Sequence, residues 1–193
     1  MCGMSCCFSI FDTAIGPCAV VWTARGVAGV QAHNAGESAA RASVLRRFAG
    51  AQEAPPPAEV QRAIDGIVAL LRGDSRDLTD VTIDLDGMPE FNRKVYDITR
   101  TIPAGATLTY GEIAERLGDR LLARDVGQAL GQNPVPMIVP CHRVLAAGGK
   151  TGGFSAPGGV ASKLRLLTIE GAQPSGPTLF DHLPLAAKRR RRS

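Results

Sequence analysis

Short apolar runs separated by turn-forming residues open the chain. Residues 7–11, 18–23 and 27–32 are apolar or β-branched, and Gly16-Pro17 and Arg25-Gly26 punctuate them, which predicts an antiparallel meander. The period then lengthens. Across 37–48 and 58–71 the apolar positions Ala40, Val44, Leu45 and Phe48, then Val60, Ile64, Val68 and Leu71, recur at helical spacing, with Pro55-Pro56-Pro57 as a hard stop between them. Residues 81–85 read as one further strand, and Asp86-Gly87 marks the turn into a second domain.

From Met88 the pattern is helical. Phe91, Val95 and Ile98 line one face of a helix that ends before Pro103. Residues 110–117 and 124–130 form two short helices joined through Gly118-Asp119, the outline of a helix-turn-helix. The second of these carries Val126, Gly127, Ala129, Leu130 and Gly131, which are small or apolar rather than base-reading. Small side chains allow close backbone approach, which suits a minor groove read by shape, with Ala129 and Gly131 as candidate contacts, but on the residues alone ordinary helix packing is the favoured reading. The expected fold class is mixed α/β. An N-terminal antiparallel sheet with helices spans 1–86, a mostly helical C-terminal domain with the helix-turn-helix and an active-site loop spans 87–173, and a flexible basic tail spans 174–193.

Length and charge narrow the picture. A chain of 193 residues with 45% hydrophobic content can bury a full core. No apolar run approaches the ~20 residues of a membrane helix, and the start lacks the basic-then-apolar layout of a secretory signal, so the expectation is a soluble cytoplasmic protein, nucleoid-associated, or nuclear in a eukaryote. Net charge is +4, but Lys188 and Arg189 to Arg192 supply five cations, which leaves the body nearly neutral. Attraction to nucleic acid must then come from a local patch and the tail. Of the five cysteines, Cys2, Cys6, Cys7 and Cys18 lie near the start without any Cys-x-x-Cys pair. Cys6 and Cys7, being adjacent, face opposite sides of a strand, so free thiols in a reducing compartment are expected rather than a metal site.

The fifth cysteine has different surroundings. Pro140-Cys141-His142-Arg143-Val144 places a thiol beside an imidazole directly after the apolar run 135–139. A free thiol ionises near about 8.5 and only its thiolate attacks, so a reactive cysteine needs a base or a positive field, which His142 and Arg143 can supply. A small core cysteine next to a surface histidine is the competing reading.

The longer segment Asn133-Pro134-Val135-Pro136-Met137-Ile138-Val139-Pro140-Cys141-His142-Arg143-Val144 resembles the active-site segment of the O6-alkylguanine-DNA alkyltransferases, the methylated-DNA-protein-cysteine methyltransferases. Thr109-Tyr110-Gly111-Glu112-Ile113-Ala114, Ala123-Arg124-Asp125-Val126-Gly127-Gln128-Ala129-Leu130, Phe154-Ser155 and Ile169-Glu170-Gly171 follow in the family's order, so the resemblance covers about residues 88–172. It implies double-stranded DNA carrying O6-alkylguanine as partner, a monomer, no cofactor, and single-turnover transfer of the alkyl group to Cys141 after base flipping, with O4-alkylthymine as a second substrate. It makes His142 the base acting on Cys141 through a water and Glu170 the acid that orients it. Arg124 intercalates, and Tyr110 helps rotate the base. Tyr110, Asn133, Val144, Phe154 and Ser155 form the substrate pocket: Tyr110 donates to the purine ring, Ser155 donates to O6, and the carbonyls of Cys141 and Val144 accept from the exocyclic amine. Arg143 fixes packing and Asn133 the turn that carries Cys141.

Three features depart from the family pattern. Asp125 puts an acid directly after Arg124, Phe154 stands where relatives have tyrosine, and Ala156-Pro157-Gly158-Gly159 lengthens a small-residue turn. Rival readings are a non-catalytic alkylguanine sensor, against which the presence of Cys141 argues, a cysteine hydrolase using Cys141, His142 and Glu170, and an architectural minor-groove protein.

Overall fold

The computed structural model describes residues 6–33, 36–74, 76, 78–153 and 158–172. Its first sheet is built around a strand buried on both faces. β2 (Gly16–Thr23) lies between β1 (Cys7–Thr13) and β3 (Gly26–Ala32), antiparallel to both. Its alternating side chains serve two cores: Ala19 and Val21 pack with Phe8 and Val44 on one side, while Val20 and Trp22 join the larger core on the other. This double burial explains why its sequence reads as a continuous apolar run rather than an alternation. α1 (Glu37–Arg47) covers the first face, and Phe48 at its end presses so closely on β3 that a Cβ at Gly29 would fall 2.7 Å from the ring.

α2 (Ala58–Leu71) buries Val60, Ile64, Ile67, Leu70 and Leu71 on the other face. The same core runs on through α3 (Glu90–Arg100), α4 (Tyr110–Arg116) and α5 (Ala123–Gly131) to Val135, Ile138, Val139 and Val144. The sheet and the helical half therefore share one interior. Among the described residues no helix is long and apolar enough to cross a membrane.

Three elements differ from the sequence expectation. The strand expected over 81–85 is a single bridge, Ile83 to Val27, closed by Val27 N donating to Thr82 O and Asp84 N to Val27 O. A two-residue strand, β4 (Gln52–Glu53), pairs parallel to β1 and completes the order β3-β2-β1-β4. After the short β5 (Leu108–Thr109) and β6 (Val144–Leu145), the last described helix is one that the apolar pattern did not announce, α6 (Gly159–Ile169). The basic tail, with Phe154 and Ser155, lies outside the described residues.

Candidate active site

Two local devices bring Tyr110 and Cys141 together. Thr109 caps α4 through a reciprocal box: its hydroxyl accepts from Glu112 N at 3.1 Å, and the Glu112 carboxylate accepts from Thr109 N at 2.6 Å. Tyr110 is thereby the first residue of the helix. β5 then pairs parallel to β6, with Leu108 opposite Val144 and Thr109 opposite Leu145, so the start of α4 is pinned beside the 3-10 turn Cys141–Arg143.

The loop before that turn is held from inside. Asn133 Oδ1 accepts from Val135 N at 3.0 Å and its Nδ2 donates to Val139 O at 2.8 Å, an Asx turn that clasps the loop at both ends. Val30 N donates to Pro134 O at 2.9 Å and ties it to β3. At the apex Met137 adopts φ 75°, a left-handed conformation that costs a side-chain-bearing residue about 1–2 kcal/mol. Strain of this kind persists where the surroundings over-determine the backbone.

His142 and Arg143 point into a buried charge network. His142 Nε2 lies 2.9 Å from Glu170 Oε1; Arg143 grips the same carboxylate through Nε at 2.9 Å and Nη2 at 2.8 Å, and its Nη1 donates to Ile102 O at 2.5 Å. The side chains of His142, Arg143 and Glu170 are 1%, 5% and 2% exposed, so water screens the network little. Burial works to raise the Glu170 pKa, but the hydrogen bonds from His142 and Arg143 prevail and hold it at about 2. An ionised carboxylate only accepts, which assigns the His142 proton to Nε2 and leaves Nδ1 as the bare lone pair. Nδ1 is buried and has no hydrogen-bond partner among the described residues. Loss of hydration lowers the His142 pKa, partly opposed by Glu170, so the ring is neutral and able to take a proton.

The positive field at the thiol comes from an unexpected residue. Arg143 is committed to Glu170 and Ile102. Lys163 of α6 instead is fully buried, donates to Val144 O at 2.5 Å, lies 5.8 Å from the Tyr110 ring centre, and favours the Cys141 thiolate. Burial drives the Lys163 pKa down to about 8. The Cys141 thiol is pushed up by burial, against the pull of the Asn133 side chain, Lys163 and nearby backbone N–H groups. The resting thiol is thus protonated and needs a base. Lys163 escaped the sequence reading, although a lone lysine three and four residues before Leu166 and Leu167 on an apolar helix is a visible signal. The Val144 carbonyl, expected to face substrate, already holds this lysine.

Beside Cys141 opens a cavity of about 540 Å³ lined by Tyr110, Ala123, Arg124, Gly127, Leu130, Gly131 and Gly153. Ala123, Gly127 and Gly131 follow at i, i+4 and i+8 on one face of α5. Among the described residues, a Cβ at Gly131 would meet nothing within 4 Å. Arg124 is exposed and makes no ion pair among the described residues, and Asp125 is exposed beside it. Ala129 corrects the expectation of a DNA contact: it is 2% exposed on the opposite face, and its carbonyl accepts from Tyr96 Oη at 2.8 Å. Three of the N-terminal cysteines, Cys6, Cys7 and Cys18, are free thiols, and no group of three or more metal-binding side chains occurs among the described residues.

Residues 90–172 match the family model described as 6-O-methylguanine DNA methyltransferase, DNA binding domain. A methylated-DNA–protein-cysteine methyltransferase of Methanothermobacter thermautotrophicus is 39% identical over 124 residues, 64% of this chain and 68% of the relative. One of Mycobacterium bovis is 42% identical over 128 residues, 66% and 75% of the two chains. The crystal structure of Mycobacterium tuberculosis OGT in complex with DNA superposes with a TM-score of 0.70 at 32% identity, covering 86% of this chain and 92% of that one.

Proposed function

The chain belongs to the O6-methylguanine DNA methyltransferase family, and from that premise we propose that Cys141 is the alkyl acceptor of a direct reversal of DNA damage. The protein repairs alkylated DNA by moving the alkyl group to one of its own cysteines. The observation that carries the assignment to Cys141 is the buried, unpartnered Nδ1 of a neutral His142 whose other nitrogen is fixed by Glu170.

Duplex DNA hides the O6 position of guanine, so the nucleotide leaves the stack and its base occupies the cavity beside α5. Arg124, without an ion pair among the described residues, fills the gap, and the small face of Ala123, Gly127 and Gly131 admits the backbone of the groove. His142 Nδ1 takes the Cys141 proton through a water, and the thiolate attacks the alkyl carbon. The C–O6 bond breaks, its electron pair stays on guanine, and the leaving base receives one proton at the ring from Tyr110, which regains it from the His142 imidazolium through solvent, while Ser155 donates a hydrogen bond to O6. Lys163 is a positioning residue: it steadies the Val144 carbonyl and supports the thiolate. The thioether has no route back, so each molecule acts once. The lesion is O6-alkylguanine, with O4-alkylthymine accepted on the same chemistry. We propose that the protein acts as a monomer.

The test is Cys141→Ala. Duplex DNA containing O6-methylguanine is expected to bind this variant as it binds the native protein, by fluorescence anisotropy, with no methyl gained by the protein. Continued methyl transfer to the variant would move the acceptor to another cysteine.

A further inference from the structure

Cys141 borders a second cavity. It measures about 360 Å³ and meets the first along Leu130, Gly131 and Cys141, but its far wall comes from the sheet half, where β3 supplies Val30 and α1 supplies Arg47. Burial orders its lining. Val30, Leu130, Met137 and Leu166 are at most 6% exposed and make an apolar floor near the thiol. Arg47 and Arg165 line the same cavity and are exposed, which puts them at its mouth. No carboxylate lines it among the described residues, so the field at the mouth is positive. Arg165 is held in place by donating from Nη2 to Ala14 O at 2.6 Å, and Arg47 lies 5.7 Å from the centre of the Phe48 ring. A guanidinium has five donors, so both retain donors for an anion.

We propose that this cavity receives the far end of long O6-alkyl groups and favours chains that end in a carboxylate. The proposal rests on the alkyl-transfer reading of Cys141. In the transfer, Sγ bonds to the first alkyl carbon as the C–O6 bond breaks, the electron pair stays on guanine, and guanine is protonated. The remainder of the chain travels on that first carbon, to the side of the S–C–O line. A methyl needs no further room. A four-carbon chain does, and with guanine in the cavity beside α5 the second cavity, which adjoins it along Leu130, Gly131 and Cys141, offers that lateral room beside the thiol. The apolar floor removes its methylenes from water and the two arginines meet a terminal carboxylate. The sheet half thereby sets which adducts are accepted, beyond supporting the helical half.

The experiment compares O6-methyl-, O6-butyl- and O6-(3-carboxypropyl)guanine at one position of the same duplex, with transfer followed by intact mass. The substitutions R47Q and R165Q together are expected to slow the carboxypropyl transfer about fivefold to tenfold, the size of partly exposed ion pairs, and to leave methyl and butyl unchanged. R165K should keep the native carboxypropyl rate. Equal slowing of all three substrates would overturn the proposal and assign the arginines to the DNA backbone or the fold; unchanged rates for all three would overturn it by sending the carboxylate elsewhere. Failure of the native protein to take a methyl on Cys141 would instead sink the underlying reading.

Discussion

The two sides of the acceptor site are built on opposite principles. Behind Cys141, His142, Arg143 and Glu170 are almost wholly buried and spend their hydrogen bonds on one another and on Ile102, with a single imidazole nitrogen left over. In front of it, Arg124 and Asp125 stand in solvent on α5 with no ion pair among the described residues, beside small residues that leave open space. The first arrangement prepares chemistry in advance. The second leaves Arg124 exposed, available to the duplex in the role proposed for it. Damage to the rear should therefore appear in stability and in every substrate, whereas damage to the front should appear only where a duplex must be opened.

The largest effect is expected from Glu170→Gln. It leaves the buried Arg143 without its counter-charge and loosens His142, which should destabilise the fold by about 3–5 kcal/mol in denaturant titration and stop transfer to duplex and free base alike. Full stability in that variant would mean the network is not the structural centre it resembles. The same network sets an acid limit. Glu170 has a folded pKa of about 2 against an ordinary 4.5, so its contribution is present above the unfolded value and is lost as pH falls from 4.5 toward 2. That contribution is on the order of 3 kcal/mol. Burial of neutral His142 adds in the same direction, because the unfolded imidazole gains a proton below 6.5 and the folded one resists it. Melting curves of native protein across this range should fall more steeply with acid than those of Glu170→Gln.

Arg124→Ala probes the front. Its stability should change by less than about 0.5 kcal/mol, as for an exposed side chain away from the core. Repair of duplex DNA should slow much more than reaction with free O6-benzylguanine, which needs no flipping. Equal slowing of the two would make Arg124 a structural residue. A smaller effect is expected from Lys163→Met, which removes the cation supporting the thiolate. The alkaline rise in labelling of Cys141 by iodoacetamide should move to higher pH, and an unmoved profile would limit Lys163 to holding Val144.

How far these features were legible in the sequence follows the range of the interactions. The meander and the first five helices announce themselves through local periodicity and proline or glycine breaks. The strand expected over 81–85 did not form as a strand, because pairing depends on a distant partner and Val27 offers only one residue of parallel ladder. α6 begins at a glycine after another glycine, without a side-chain cap, so its start carries no local signal. In the site, the order of Cys141, His142 and Glu170 along the chain was readable, but the donation of Lys163 to Val144 links residues 19 positions apart and is settled by packing. Ala129 was misassigned by composition, since small size marks both a groove-facing residue and a core one. The helical period separates them: Ala123, Gly127 and Gly131 share a face, and Ala129 lies with Val126 and Leu130 in the core.

In the function proposed for this protein, one thiol, prepared by a buried network, accepts one alkyl group. Peptide-resolved mass measurement after incubation with excess duplex containing O6-methylguanine tests it directly. The expected result is one methyl per chain, on the peptide carrying Cys141, with repaired DNA equal in amount to protein. Methyl on any other cysteine, or more DNA repaired than protein present, would contradict it.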